Sequence, residues 1–226
     1  MSTSLEPDAL EPNALVAEVA DAAWCELGRP GPQWTGAERT AIAAAARAAA
    51  PRPLWDRAPA LGELSREAGE RELSPFVAGL VERVAVEPSS LSRDDVIAIT
   101  DEIGDAAYAE LASVVVQVVS IDHNAAALGM GLRPLPNAEP GEPHGRRPDG
   151  MADVGGHIEM TAVSDGPNVR RSLSLAGADH ERWMMLVFAM YSGAQFGEMV
   201  WNDRALSRPQ VELLAARTSA LNECFY

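Results

Sequence analysis

Asp105-Ala-Ala-Tyr-Ala-Glu-Leu-Ala-Ser-Val-Val-Val-Gln-Val-Val-Ser-Ile-Asp-His-Asn-Ala-Ala-Ala-Leu128, followed by Gly129, is the stretch whose reading decides the fold. Its centre, 114–119, is a valine run broken only by Gln117. β-Branched residues favour strands, so the centre taken alone reads as one. The helical pattern on both flanks argues instead for one buried helix over 105–128. Gly129 then stands where a helix closes on a left-handed residue.

Helical signals continue on both sides. Upstream, Ser92 caps a short helix over 94–102, and a further helix is expected over 74–84. Thr35 and Glu38 form a capping box that opens an Ala-rich helix over 37–49, which Pro51 and Pro53 end. Over 14–27, Leu15, Val16, Val19, Ala23 and Trp24 recur near a 3.6-residue period, and Gly28 and Pro30 stop the helix. Downstream, 134–168 carries Pro134, Pro136, Pro140, Pro143, Pro148 and Pro167 among many glycines. It reads as a linker or surface excursion with a short extended piece near 157–162. Residues 169–175 begin a helix or a turn. Residues 181–196 read as a helix whose stripe of Trp183, Met184, Val187, Met190 and Tyr191 faces a core. The expected fold is all-α: a helical domain over 1–133, the linker over 134–168, and a second helical domain over 169–226.

Composition bounds the function. The 226 residues are 47% hydrophobic, enough for a packed core. The formal charge is −15 and every cation is arginine, since there is no lysine. Such a balance argues against a nucleic-acid partner. The acidic start, 1–13, lacks the pattern of a secretory signal, and no stretch approaches the roughly 20 apolar residues of a membrane span. The expected compartment is cytoplasmic, with no membrane partner. Two cysteines, Cys25 and Cys224, make no disulfide framework, and Cys25 reads as a small buried residue on its helix. Asp122-His123, His144, His157 and His180 show no metal-ligand spacing, so no metal is expected. Gly129 and Gly131 carry no phosphate-binding fingerprint, and no cofactor is expected.

The chain ends Arg204-Ala-Leu-Ser-Arg-Pro-Gln-Val-Glu-Leu-Leu-Ala-Ala-Arg-Thr-Ser-Ala-Leu-Asn-Glu-Cys-Phe-Tyr226. Ser207 and Gln210 form a capping box, with Pro209 in the first turn where its missing N–H costs little. Val211, Leu214, Thr218 and Leu221 share one face. Glu212 falls on another with Ala215, Ala216 and Ser219. Those small side chains would admit a second helix closely, and burial in that groove would raise the pKa of Glu212.

Leu206-Ser207, Glu212, Ser219-Ala220-Leu221-Asn222 and Cys224 stand at offsets that resemble the signature of the carboxymuconolactone decarboxylase and alkylhydroperoxidase D family. The likeness covers about twenty residues and fixes the order of several chemically distinct ones. More loosely, the 105–136 stretch with its Ala-Leu-Gly-x-Gly tail resembles the helix that closes such a domain. The resemblance implies an alkylhydroperoxidase-like helical bundle: a degenerate N-terminal repeat, then a C-terminal one. It implies peroxide reduction, with a peroxide substrate, a dithiol reductant protein and a homo-oligomeric state. It makes Cys224 the resolving thiol and Glu212 the relay acid. The family's second cysteine would be residue 227, and its histidine would follow. Some members carry selenocysteine in the pair, encoded by UGA. The expectation is therefore that the peroxide-attacking residue comes directly after Tyr226, and that the chain through Tyr226 is inactive or nearly so. A true stop or an artificial boundary gives the same string, and the codon after Tyr226 distinguishes them.

Two rivals stand beside that reading. One is a lactone enzyme of the decarboxylase type, which has no need of Cys224. The other is a non-catalytic helical interaction protein. An ungapped overlay of the two capping boxes sets Thr40 opposite Glu212 and Arg52 opposite Cys224, so the first copy carries neither chemistry.

Overall fold

The valine-rich stretch is helical throughout: α5 spans Asp105–Ala127. Every residue from 109 to 115 is buried. A helix wrapped on nearly all sides needs no polar stripe, which is how a valine run sits in one. Around α5 pack α1 (Ala14–Glu26), α2 (Gly36–Ala49), α3 (Pro75–Val86), α4 (Arg93–Ile103) and α6 (Ala178–Tyr191). A last helix, α7 (Arg208–Leu221), follows. Among the described residues the chain is all-α apart from a two-stranded antiparallel hairpin that pairs Met151 with Thr161. This computed structural model describes residues 13–49, 73–163, 168–191, 200–201 and 204–222. Among the described residues, no single helix is long and apolar enough to cross a membrane.

Local chemistry sets the helix ends. The Thr35 N–H donates to Glu38 Oε2 at 2.8 Å, and the Glu38 N–H donates to Thr35 Oγ1 at 3.2 Å. Ser92 and Asp95 make the same reciprocal box for α4. Between α4 and α5 the chain bends by 108° at Gly104, whose φ of +86° few other residues adopt. At the far end of α5, Met130 N–H bonds Ala125 O at 2.9 Å and Gly129 N–H bonds Ala126 O at 3.1 Å. With Gly129 at φ +70°, this is the expected glycine-closed end. Pro51 and Pro53, which were expected to end α2, lie outside the described residues, as does 192–196 of the expected helix over 181–196.

One core runs through the molecule. Trp24 of α1 and Leu27 just after it, Ile42 of α2, Phe76 and Leu80 of α3, Leu111 of α5 and Leu186 of α6 share one buried cluster. Each fully buried leucine there contributes roughly 2 kcal/mol. Leu186 is the buried anchor of α6, while Trp183 and Met190 of the expected stripe pack only partly buried against the core.

The Pro/Gly-rich stretch joins α5 to α6 as a strap. Trp24 Nε1–H donates to Pro134 O at 2.9 Å, and the N–H groups of Glu139, His144 and Gly145 donate to Gly28, Gly31 and Pro32. The extended piece expected near 157–162 is the second strand, Met160–Thr161. Beyond it Leu175 and Ala176 pack on Ala109 of α5 and deliver the chain to α6.

Cys25 departs from expectation, because it is exposed. Ala23 and Trp24 take the core side of α1, and one further residue turns the helix about 100° away from them.

Candidate functional site

Of the two residues the sequence singled out, Glu212 is described and Cys224 lies outside the described residues. Glu212 sits on the second turn of α7. Ser207 opens that helix as expected: its N–H donates to Gln210 Oε1 at 2.8 Å. The Tyr191 hydroxyl, at the end of α6, donates to Glu212 Oε2 at 2.7 Å. Arg208, one turn earlier, donates its Nε–H to Glu212 Oε1 at 3.3 Å. Arg208 and Arg204 also stand over the ring of Trp201, at 5.7 and 4.3 Å from its centre. Both are within range of a cation–π contact. The corner between α6 and α7 thus fixes one carboxylate with one hydroxyl and one guanidinium.

The expected pKa shift at Glu212 is corrected. The hydrogen bond from Tyr191 lowers it, burial opposes that, and Arg208 lowers it further through its own hydrogen bond and charge. The predicted groove of small residues does not form a dry site, since no residue of α7 is buried and the Glu212 side chain stays 43% exposed. Burial raises a carboxyl pKa only where water is excluded. The same hydrogen bond raises the Tyr191 hydroxyl.

A second constellation escaped the sequence reading. Arg39 of α2, Glu110 of α5 and Asp179 of α6 meet in the interior, at 1%, 0% and 1% exposure. Arg39 Nη1 bonds both Glu110 Oε1 and Asp179 Oδ2, and Arg39 Nη2 donates to Asp179 Oδ1 at 2.9 Å. Arg182, one turn beyond Asp179, donates to Asp179 Oδ1 at 3.0 Å. Gln33 N–H donates to Glu110 Oε2 at 2.6 Å. Burial raises Glu110 to about 7, and the negative charge of Asp179 adds to the rise against the pull of Arg39. For Asp179 burial also acts upward, but hydrogen bonds and charge from Arg39 and Arg182 outweigh it, so its carboxyl lies below the usual range.

This arrangement leaves Glu110 as the member that exchanges a proton near neutrality, and Asp179 as the fixed anion. Ser113 and Gln117 extend the polar face of α5 beyond Glu110, both fully buried. Residues at i, i+3 and i+7 of a helix share one face, so Glu110, Ser113 and Gln117 mark a polar stripe in an otherwise apolar helix. That stripe is the sequence signal that could have found the cluster. Its partners Arg39 and Asp179 lie 71 and 140 residues from their mates, and no local pattern joins them.

The four histidines also have places, His157 lying exposed between the two short strands. His123 is exposed, while its neighbour Asp122 is buried and takes a two-pronged contact from Arg47 at 2.7 and 2.9 Å. His144 lies on the strap and His180 in the first turn of α6, where burial lowers its pKa. Among the described residues, no group of three or more His, Cys, Asp or Glu is placed to hold a metal ion. Comparison with protein-family models, curated proteins and solved structures finds no match to this chain.

Proposed function

We propose that this chain belongs to an alkylhydroperoxidase-type, thiol- or selenol-dependent peroxidase, with Glu212 as relay acid and Cys224 as resolving thiol. The supporting observation is the Glu212 carboxylate. It is held ionised by Tyr191 and Arg208 on the helix that leads directly to Asn222 and Cys224. An ionised carboxylate can take up and return a proton, which is what a relay to a thiol requires.

In the proposed cycle a thiolate or selenolate at residue 227 attacks the terminal peroxide oxygen. The O–O bond breaks, the alcohol leaves with a proton, and the attacking atom becomes a sulfenic or selenenic acid. The Cys224 sulfur then displaces water and closes the disulfide or selenenylsulfide. A dithiol reductant reopens it with two electrons. At about 1.5 Å per residue, α7 runs roughly 14 Å from Glu212 to Leu221. The relay therefore requires the chain after Asn222 to turn back along α7.

The test is peroxide turnover with a dithiol reductant. It compares the chain through Tyr226 with one continued past residue 227 carrying Cys or selenocysteine there. Turnover in the continued protein alone is expected. It should be lost in Cys224→Ser and lowered at least tenfold in Glu212→Gln, within the usual reach of a proton-transfer group. Negligible turnover in the continued protein overturns the proposal. That outcome favours a helical interaction protein, a reading supported by Leu213, Leu214 and Leu221 of α7, which are 70%, 57% and 51% exposed.

A further inference from the structure

A cavity of about 450 Å³ opens where the α1–α2 connection, the strap and the start of α6 meet. That volume suits a small organic ligand. Arg29, Arg39, Arg146, Arg147, Arg182 and His144 line it. The carboxylates on its wall are Glu26, Asp149 and Asp179. Five guanidiniums against three carboxylates line the wall, in a chain whose formal charge is −15, although Arg29, Arg39 and Arg147 also pair with Glu139, Glu110, Asp105 and Glu159 behind it. Random scatter of 33 acidic and 18 basic side chains would give the opposite balance in the lining.

The arginines fall into two groups. Arg147 is fixed by Asp105 and Glu159 at 2.8 and 2.7 Å, and Arg29 by Glu26 and Glu139. These pairs hold the rim in place. Arg39 and Arg182 also make ion pairs, Arg39 with Glu110 and Asp179 and Arg182 with Asp179 and Glu26, but each keeps one donor in reserve, as does Arg146. The Nε–H groups of Arg39 and Arg182 are buried with no hydrogen-bond partner among the described residues. The exposed Arg146 guanidinium makes no ion pair there either. Buried donors left unmade cost about 1–3 kcal/mol each, and two of the eight such side-chain atoms among the described residues belong to arginines of this lining. Gly177 and Ala178 bring the start of α6 to the same wall. The first N–H groups of a helix have no partner within it, and they favour a negative group.

We propose that this cavity binds a small molecule through an oxyanion, a phosphate or a carboxylate. Arg39, held by Glu110 and Asp179, is the rigid element at its base, and Arg182 and Arg146 close on the ligand from the α6 side and the strap side. Guanidinium matches both oxyanions with paired N–H donors. The site shares no residue with the Tyr191–Glu212 corner, and the inference stands whether or not the peroxide reading does.

The test is calorimetric titration of the chain through Tyr226 with inorganic phosphate and with citrate. Glycerol at the same concentration and chloride at matched ionic strength serve as controls. Saturable binding of one or both oxyanions at or below millimolar concentration is expected, and the preferred one names the ligand group. Arg146→Ala and Arg182→Gln should each weaken it about tenfold or more, with the helical circular-dichroism signal unchanged. Absence of saturable binding of both oxyanions overturns the proposal. So does binding that both variants leave unaltered.

Discussion

Glu110 and Glu212 each meet a guanidinium, and their pKa values move in opposite directions. Glu110, on the buried α5, is pushed up to about 7 despite the contact with Arg39. Glu212, on the half-bare α7, is drawn down by Tyr191 and Arg208. The difference lies in solvent. At Glu110 the loss of water outweighs the attraction of the partner, and Asp179 competes for the same guanidinium. At Glu212 water remains, and a hydroxyl and a guanidinium tilt the balance towards the anion. The interior cluster is closed to water, and the corner stays open to it.

The largest expected effect tests the interior half of that contrast. Arg39→Met removes one cation from between two buried carboxylates, and should destabilise the fold by about 3–5 kcal/mol. Denaturant unfolding measures it. Combining Arg39→Met with Glu110→Gln and Asp179→Asn removes the stranded charges and should recover much of the loss. A triple variant as unstable as the single one would show that packing, and not charge, governs the cluster.

Next comes the pH dependence. A folded value of about 7 for Glu110 stands above the roughly 4.3 of an unfolded Glu. Between those values the folded state keeps a proton that the unfolded chain has released. The contribution is thus fully present below about pH 4 and is lost as pH rises through neutrality, on the order of 4 kcal/mol in all. Asp179, lowered in the fold, works the other way and loses its contribution as pH falls below the usual Asp range. Stability should peak between the two. Unfolding at pH 5 and 7.5 should show the fall, and Glu110→Gln should flatten it. An unchanged slope in that variant would remove Glu110 as its source.

Gly31 offers a steric version of the same test. A Cβ there would run into Glu110 Oε1 and Arg39 Nη1, both buried. Gly31→Ala should cost about 1–3 kcal/mol by overpacking, visible as a lower melting temperature. The same substitution at Gly131, which has open space around it, should cost nothing measurable.

The sequence carried the helices further than the site. Thr35–Glu38, Ser92 and Ser207–Gln210 are local codes, legible because both partners lie within one turn. The valine run reads as helix because the helical pattern flanks it on both sides and Gly129 closes it. Burial was harder. Cys25 was assigned to the core by residue type, yet the geometry of α1 turns it outward. Glu212 was assigned to a dry groove by the small residues beside it, but a groove needs a second helix, and its neighbour is the Tyr191 hydroxyl. The Arg39–Glu110–Asp179 cluster needs three helices to meet, and its one local mark, the Glu110–Ser113–Gln117 stripe of α5, names no partner.

The smallest effect bears on the corner. Exposed carboxylate contacts contribute little, so Tyr191→Phe and Glu212→Gln should each move stability by less than about 0.5 kcal/mol. The informative quantity is instead the Glu212 titration, followed by carboxyl carbon NMR. Removing the Tyr191 hydroxyl takes away the largest force holding Glu212 down, so its midpoint should rise towards that of an ordinary glutamate. Arg208→Gln should move it the same way. If Tyr191→Phe leaves the midpoint in place, the hydroxyl is not what keeps this carboxylate ionised. The relay role of Glu212 then loses its structural support, while the interior cluster and its pH dependence are untouched.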